Sequence, residues 1–331
     1  MNEDFHPPMA STKVREDGML VEIDLREANH QREANRKQFR KRLREGLSET
    51  GFVSVAGHDI DRDVLEEAHV LFANFFDQSL EEKSRVGGVS GGQRGFTPFG
   101  IETALHAPRP DLKEFFHIGQ EQIPSGAKAD FYPENIWPDR PPRLREVALR
   151  LYRDLEKVAC ILLEEIALAF GLPRTALADM IVNGNSILRA LHYPPVAEVC
   201  DPLALRAAPH EDINLITLLC AASDEGLEIC LRNGEWIEVQ SRPGTLIADV
   251  GDMLARITND QLPATTHRVV ARGPAAKRHR YALPFFAHPR PECDLSVLPT
   301  FLGPGEKAKY PPTTASDFLE ERLREIGLIQ D

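Results

Sequence analysis

Pro209-His210-Glu211-Asp212-Ile213-Asn214-Leu215 is the stretch on which the reading of the fold turns. In an extended chain, side chains two apart share a face, so His210 and Asp212 offer an imidazole and a carboxylate to one point. A triplet of this kind is weak evidence alone, and a third ligand is required. His267, in Thr265-Thr266-His267-Arg268-Val269-Val270, opens another strand-like run and supplies it. Two histidines and one carboxylate on one face of a metal leave the remaining positions open, as in non-haem Fe(II) centres that activate oxygen. Zinc in a metallohydrolase is the chemical alternative. His58, His69, His106, His117 and His288 read as ordinary surface or core histidines.

Outward from this stretch, the chain after about residue 184 is made of short runs of Val, Ile, Leu, Thr and Tyr separated by turns. The runs are 186–193, 213–220, 227–232, 236–240, 245–250, 267–271 and 279–287. Asn233-Gly234 predicts a type I′ hairpin between two of them. Such spacing argues for a sandwich or barrel and against βαβ units. The earlier half reads helical. An amphipathic helix over 34–50 is stopped by Gly51, a strand follows at 52–56, and a second helix covers 62–77. Ser79-Leu-Glu-Glu82 is a capping box, 86–112 is a long glycine- and proline-rich loop, and 144–170 is the longest helix by period. A final helix, capped by Thr314, runs over about 316–326. The expected organisation is a loosely ordered tail, 1–20, then one domain, 21–331. Within it a helical part covers about 21–183, a strand-rich core about 184–290 and a C-terminal helix about 315–328.

The chain has 331 residues, 39 of them Lys or Arg and 51 Asp or Glu, a formal charge of -12, and 42% hydrophobic residues. This is an ordinary globular composition, long enough to bury a sizeable core. The acidic excess without a basic stripe argues against nucleic acid as a partner. The run Arg36 to Arg44 carries Phe39 and Leu43 at helical spacing and reads as the solvated face of a helix. Five cysteines without a C-x-x-C motif suggest neither a disulfide framework nor a zinc knuckle and fit a reducing cytoplasm. No segment has signal-peptide or membrane-spanning character, so a cytoplasmic monomer or weak homo-oligomer is expected.

Together these stretches resemble the isopenicillin N synthase-like group of Fe(II)- and 2-oxoglutarate-dependent oxygenases, in its bacterial form. The resemblance is carried by Leu43 to His58 (LREGLSETGFVSVAGH), Arg94-Gly95-Phe96, Asp111-Leu112-Lys113-Glu114, His192-Tyr193-Pro194-Pro195 and the His210-x-Asp212 stretch. Gly251-Asp252-Met253, His267 to Val270 and Arg280 to Phe286 complete it. It implies a mainly β fold with flanking helices, built on a double-stranded β-helix (jelly-roll, cupin-like) core. Fe(II) would be held by His210, Asp212 and His267, with 2-oxoglutarate and O2 as co-substrates. The implied reaction oxidises, most often hydroxylates, a small molecule and releases succinate and carbon dioxide. An Fe(II) oxidase of the same fold that does not use 2-oxoglutarate, and a non-catalytic ligand-binding member, are the alternatives.

In that family an Arg-x-Ser pair binds the distal carboxylate of 2-oxoglutarate. Arg280 matches the Arg, but Ala282 stands at the Ser position, so one hydroxyl donor is missing. Tyr193, at a matching co-substrate position, offers a second donor. If Tyr193 faces the site, Leu191 and Arg189 face the same way. An Arg on an apolar strand needs an anion, and a substrate carboxylate, a second group of the co-substrate or a structural Asp or Glu would each serve. Phe96 and Phe99 in the entry loop, with Leu191 and Phe286, are expected to line the substrate pocket. Lys113, Glu114, Phe115 and Phe116 belong to a strand packed against that entry. Asn214 is expected to orient the ligands from behind, and Asp252 either does the same or caps a helix.

Overall fold

In a computed structural model the described residues are 19–87, 93–105, 107–122, 131–196, 205–220, 222–240 and 242–329. In chain order the strands are β1 (Glu22–Asp24), β2 (Phe52–Ala56), β3 (Gly95–Thr97), β4 (Glu114–Gly119), β5 (Ile187–Tyr193) and β6 (Ala207–His210). They continue with β7 (Ile216–Cys220), β8 (Leu227–Cys230), β9 (Trp236–Glu238), β10 (Leu246–Val250), β11 (His267–Val269) and β12 (Arg280–Ala287). The helices are α1 (Glu33–Thr50), α2 (Arg62–Phe76), α3 (Leu80–Ser84), α4 (Leu144–Ala169), α5 (Ala178–Ile181), α6 (Asp252–Ile257) and α7 (Ala315–Glu325).

Local chemistry sets the helix ends. Gly51, at φ 73°, closes α1 by donating its N–H to the Leu47 carbonyl. Ser79 and Glu82 form the expected capping box on α3, and the Thr314 hydroxyl accepts from the Asp317 N–H to start α7. Phe39, Leu43 and Leu47 are the buried stripe of α1, so its basic face is the solvated one. Among the described residues no helix is long and apolar enough to cross a membrane.

The strands form an eight-stranded sheet, β1-β2-β10-β7-β12-β5-β4-β3, and a four-stranded sheet, β6-β11-β8-β9. The large sheet is antiparallel apart from the β1–β2 pair. Its four strands β1 to β4 come from the half of the chain that reads as helical, so that half supplies sheet as well as wrapping. This is a double-stranded β-helix core with flanking helices, as the resemblance implied.

The pleat divides the large sheet into two faces. On one, Leu188, Ala190, Leu218, Ala248, Leu283 and Phe285 are buried in the main core with α1, α2 and α4. Leu151 and Leu155 of α4 are fully buried there, and truncating either to Ala costs about 2–5 kcal/mol. On the other, Ile187, Arg189, Leu191 and Tyr193 of β5 face a cavity, as do Arg280, Ala282, Pro284 and Phe286 of β12, Thr217 and Leu219 of β7, and Ile247 and Asp249 of β10.

Two local expectations are corrected, and a third lies mostly outside the described residues. Asn233-Gly234 does not form a type I′ turn, because Asn233 keeps a negative φ and only Gly234 is left-handed. The Asn233 side chain accepts the Glu235 N–H and Gly234 N–H bonds to the Leu231 carbonyl, which closes a longer turn. Strand β6 ends at His210 and β7 starts at Ile216, so Asp212 lies on the connection and not on a strand. Of the tail expected over 1–20, residues 1–18 lie outside the described residues, but Met19 bridges Gln240 and Leu20 is buried. His106 and residues 88–92 of the glycine-rich loop also lie outside them.

Candidate metal and co-substrate site

Strand pairing brings the metal ligands together. His267 on β11 is the cross-strand partner of His210 on β6, and their rings stand 4.3 Å apart. Nδ1 of His210 lies 2.7 Å from the Ala208 carbonyl, and Nδ1 of His267 lies 3.2 Å from the Thr265 carbonyl. A carbonyl can only accept, so each ring carries its proton on Nδ1 and turns its Nε2 lone pair inward. Those Nε2 atoms are 3.9 and 3.8 Å from Oδ1 of Asp212, and the three ligand atoms lie within 4.8 Å of one another. Burial, helped by His267 and Lys113, pushes the His210 imidazole down to about 3, so its lone pair is open at neutral pH. Two imidazoles with Nε2 turned inward and one carboxylate fit Fe(II) and leave room for exchangeable ligands.

Behind the ligands, Asn214 Nδ2 donates to Thr217 Oγ1 at 2.9 Å, and Thr217 donates in turn to Oδ2 of Asp212. The Asp252 N–H bonds to the Asp212 carbonyl at 2.7 Å. Gly251 makes this approach possible, since a Cβ there would stand 2.2 Å from the Asn214 carbonyl oxygen. Asp252 is the first residue of α6 and Gly251 its cap, so Asp252 acts on the ligand through its backbone. Asp249 also faces the cavity, and burial with the neighbouring Asp212 raises its carboxyl well above the usual range.

The two sheets enclose a cavity of about 440 Å³ that holds all three ligands. At one end Arg280 and Tyr193 are cross-strand partners, as are Ala282 and Leu191. Arg280 is 2% exposed, its guanidinium lies 5.2 Å over the Tyr193 ring, and Nε donates to the Asp224 carbonyl at 3.1 Å. No carboxylate among the described residues forms an ion pair with it, whereas neighbouring Arg278 pairs with Asp224 at the surface. A buried, unpaired guanidinium beside apolar Leu219, Ile247 and Val269 fits the distal carboxylate of 2-oxoglutarate.

At the other end the anion that meets Arg189 is the structural one of the alternatives. Arg189 faces the cavity but already has a carboxylate: Nη1 donates to Glu102 Oε1 at 3.3 Å, and Nη2 stands 3.2 Å from Oε2. Its Nε donates to His117 Nε2 at 2.5 Å, and its face lies 4.4 Å from Phe115 and 5.1 Å from Phe286. Leu191 and Phe286 line the cavity as expected; Phe96 and Phe99 do not. Phe96 is 2% exposed and packs edge-on against Phe75 in the helical core, because Gly95–Thr97 pairs with β4 and turns the ring inward. Phe99 is 41% exposed and leans on His192 at the surface.

Sequence reading missed Glu102, His117 and His288, all of which line the cavity. One signal was available: the alternation that aims Arg280, Ala282, Pro284 and Phe286 inward continues to His288, whereas His117 is placed by its register with Arg189, which only the fold shows. Glu102 sits in a loop without periodicity and carries no such signal. Leu319, Arg322, Leu323 and Ile326, on or just after α7, border the cavity from the C-terminal side.

Residues 22–140 match the family model described as non-haem dioxygenase in morphine synthesis N-terminal, and residues 184–289 match that of the 2OG-Fe(II) oxygenase superfamily. A crystal structure from Caulobacter crescentus, assigned to the 2OG-Fe(II) oxygenase family, is 35% identical with a TM-score of 0.82, over 93% of this chain and 99% of that one. A full-length Neurospora crassa protein, solved with alpha-KG and thymine, is 26% identical with a TM-score of 0.84, over 94% and 98%. The 2-oxoglutarate-Fe(II) type oxidoreductase hxnY of Emericella nidulans is 28% identical over 292 residues, 84% of this chain and 82% of that protein. The chain belongs to the 2OG-Fe(II) oxygenase superfamily, in its isopenicillin N synthase-like branch. Its activity is that of a 2-oxoglutarate-dependent dioxygenase with iron as cofactor.

Proposed function

We propose that this enzyme hydroxylates a C–H bond of a small, uncharged molecule, with 2-oxoglutarate anchored by Arg280 and Tyr193 at one end of the cavity and the substrate at the other. The observation that carries the reading is Arg280, a buried guanidinium without a carboxylate partner among the described residues, in one cavity with His210, Asp212 and His267. Fe(II), which His210, Asp212 and His267 would hold, would supply the oxidising power together with 2-oxoglutarate and oxygen, with succinate and carbon dioxide as co-products. The chain's own residues bind, aim and exclude water. His210 and His267 keep their Nε2 atoms inward through the Ala208 and Thr265 carbonyls, and Thr217 holds the Asp212 carboxylate. Leu219, Ile247 and Val269 keep the Arg280 end dry, which strengthens a charge-assisted pair there.

The Glu102 partner of Arg189 supports an uncharged substrate over one carrying a carboxylate, since the cation is already balanced. The relative solved with thymine supports a small molecule of this kind. β1 to β4 share one sheet with the catalytic strands, which supports a single oxygenase domain over 21–331. The test is to load anaerobic protein with Fe(II) and 2-oxoglutarate, offer small molecules, and admit oxygen. One succinate per oxygen consumed, with a product heavier by one oxygen atom, is expected. Oxygen uptake without succinate would select the oxidase reading.

A further inference from the structure

Strand β6 is the edge of the small sheet and pairs with β11 alone. The register slips between the pairs Val269 with Ala207 and His267 with His210, which leaves Ala208 and Pro209 opposite the single residue Arg268. Pro209 has no N–H to give. Both polar backbone groups of Ala208 are engaged by side chains: its N–H donates to Oδ1 of Asp111 at 2.9 Å, and its carbonyl accepts from Nδ1 of His210 at 2.7 Å. A residue 97 positions earlier in the chain is thus tied to a metal ligand through one short stretch of backbone.

Asp111 is held firmly in that place. It is 3% exposed, and its Oδ2 accepts from Lys113 Nζ at 2.7 Å. The Leu112 N–H donates to the Leu205 carbonyl at 2.9 Å, so this segment covers the edge that β6 leaves open. An ionised acceptor makes a stronger hydrogen bond than a neutral one. It also polarises the Ala208 peptide, so that the carbonyl draws harder on its own donor. That donor is the Nδ1–H of His210, and a harder pull there enriches Nε2, the atom turned toward the metal site. His267 gives the contrast, since its Nδ1 lies 3.2 Å from the Thr265 carbonyl. The two imidazoles are not equivalent, and His210 is the more tightly held.

We propose that Asp111 is a positioning residue for the iron centre, which through the Ala208 peptide fixes the ring of His210 and strengthens its Nε2 as a donor. This rests on the oxygenase reading above, because it takes the metal to be held by His210, Asp212 and His267.

The rival role for Asp111 is to balance the charge of Lys113, and the two roles separate when Lys113→Met removes that charge. In this background Asp111→Asn keeps an oxygen for the Ala208 N–H, Asp111→Ala keeps none, and in both Glu102 still pairs with Arg189. Co(II) affinity is measured by competition with a chelator, and the visible absorption of bound Co(II) reports its ligands. The Asp111→Ala protein binds about 10- to 100-fold more weakly than the Asp111→Asn protein, with a shifted band. If the Ala protein does not fold, Asp111→Asn with Lys113 left in place makes the same comparison. There the ammonium claims the amide oxygen and turns the NH2 toward the Ala208 N–H, so Co(II) binds more weakly than when Lys113→Met frees that oxygen. Equal affinities and superimposable spectra in the compared proteins overturn the proposal. The unsubstituted protein separates the two levels. If it binds neither Co(II) nor Fe(II), the oxygenase reading fails; if it binds them and the compared variants match, only this inference fails.

Discussion

At the metal end of the cavity each ligand is held by a bond to a residue at most five positions away: His210 by Ala208, His267 by Thr265, Asp212 by Thr217. At the far end the charged side chains hold one another across strands and a loop, Arg189 to Glu102 and His117, Lys113 to Glu102. The difference teaches which part of an active site a sequence can state. Chemistry fixed by local geometry on strands is compact in the chain, whereas the groups that select a substrate meet only after folding.

The comparison breaks first at the metal. Asp212→Ala should lower kcat/KM by more than about a thousandfold and reduce bound iron, because a two-ligand site cannot keep the metal. Iron content by absorption spectrometry alongside turnover checks it. At the far end, Glu102→Gln should cost about 3–5 kcal/mol of stability at neutral pH, since it leaves buried Lys113 and Arg189 short of a counter-charge. Glu102 holds its proton less tightly in the folded state than in the unfolded chain. Its contribution is therefore fully present above the ordinary carboxylate range and lost only as pH falls toward its depressed folded value. Urea midpoints for the two proteins should differ most at neutral pH and converge in acid.

Smaller effects sharpen the contrast. Asn214→Ala leaves Thr217 without its anchor and should weaken metal binding about 10- to 100-fold with the fold intact, measured by competition with a chelator. Ala282→Ser restores a hydroxyl two residues after Arg280 and should tighten 2-oxoglutarate binding roughly fivefold, the worth of one added hydrogen bond.

The metal end is legible in the sequence down to single residues, because His-x-Asp, a later His on a strand and an Arg thirteen positions beyond are local patterns. How they converge is not: Asp212 sits on a turn, and the pairing of β6 with β11 brings the histidines together. Alternation along β5 aims Arg189, Leu191 and Tyr193 at the cavity, and the same rule along β12 extends to His288, which reads as an ordinary histidine when taken alone. Phe96 and Phe99 read as pocket residues because a loop aromatic has no period to reveal its side. In the fold, α2 and β4 claim one ring and the surface near His192 the other. The partner of Arg189 is beyond the reach of sequence for the same reason, since Glu102 is brought to it by tertiary packing alone.

The central claim is that the cavity is divided, with Arg280 as the co-substrate anchor opposite a charge-balanced substrate end. It is tested most directly by titrating 2-oxoglutarate into anaerobic, Fe(II)-loaded protein and into its Arg280→Met variant. A loss of roughly 100-fold in affinity, with iron content unchanged, is the predicted result, the size expected when a charge-assisted carboxylate pair is removed. Equal affinity in the two proteins would contradict the account.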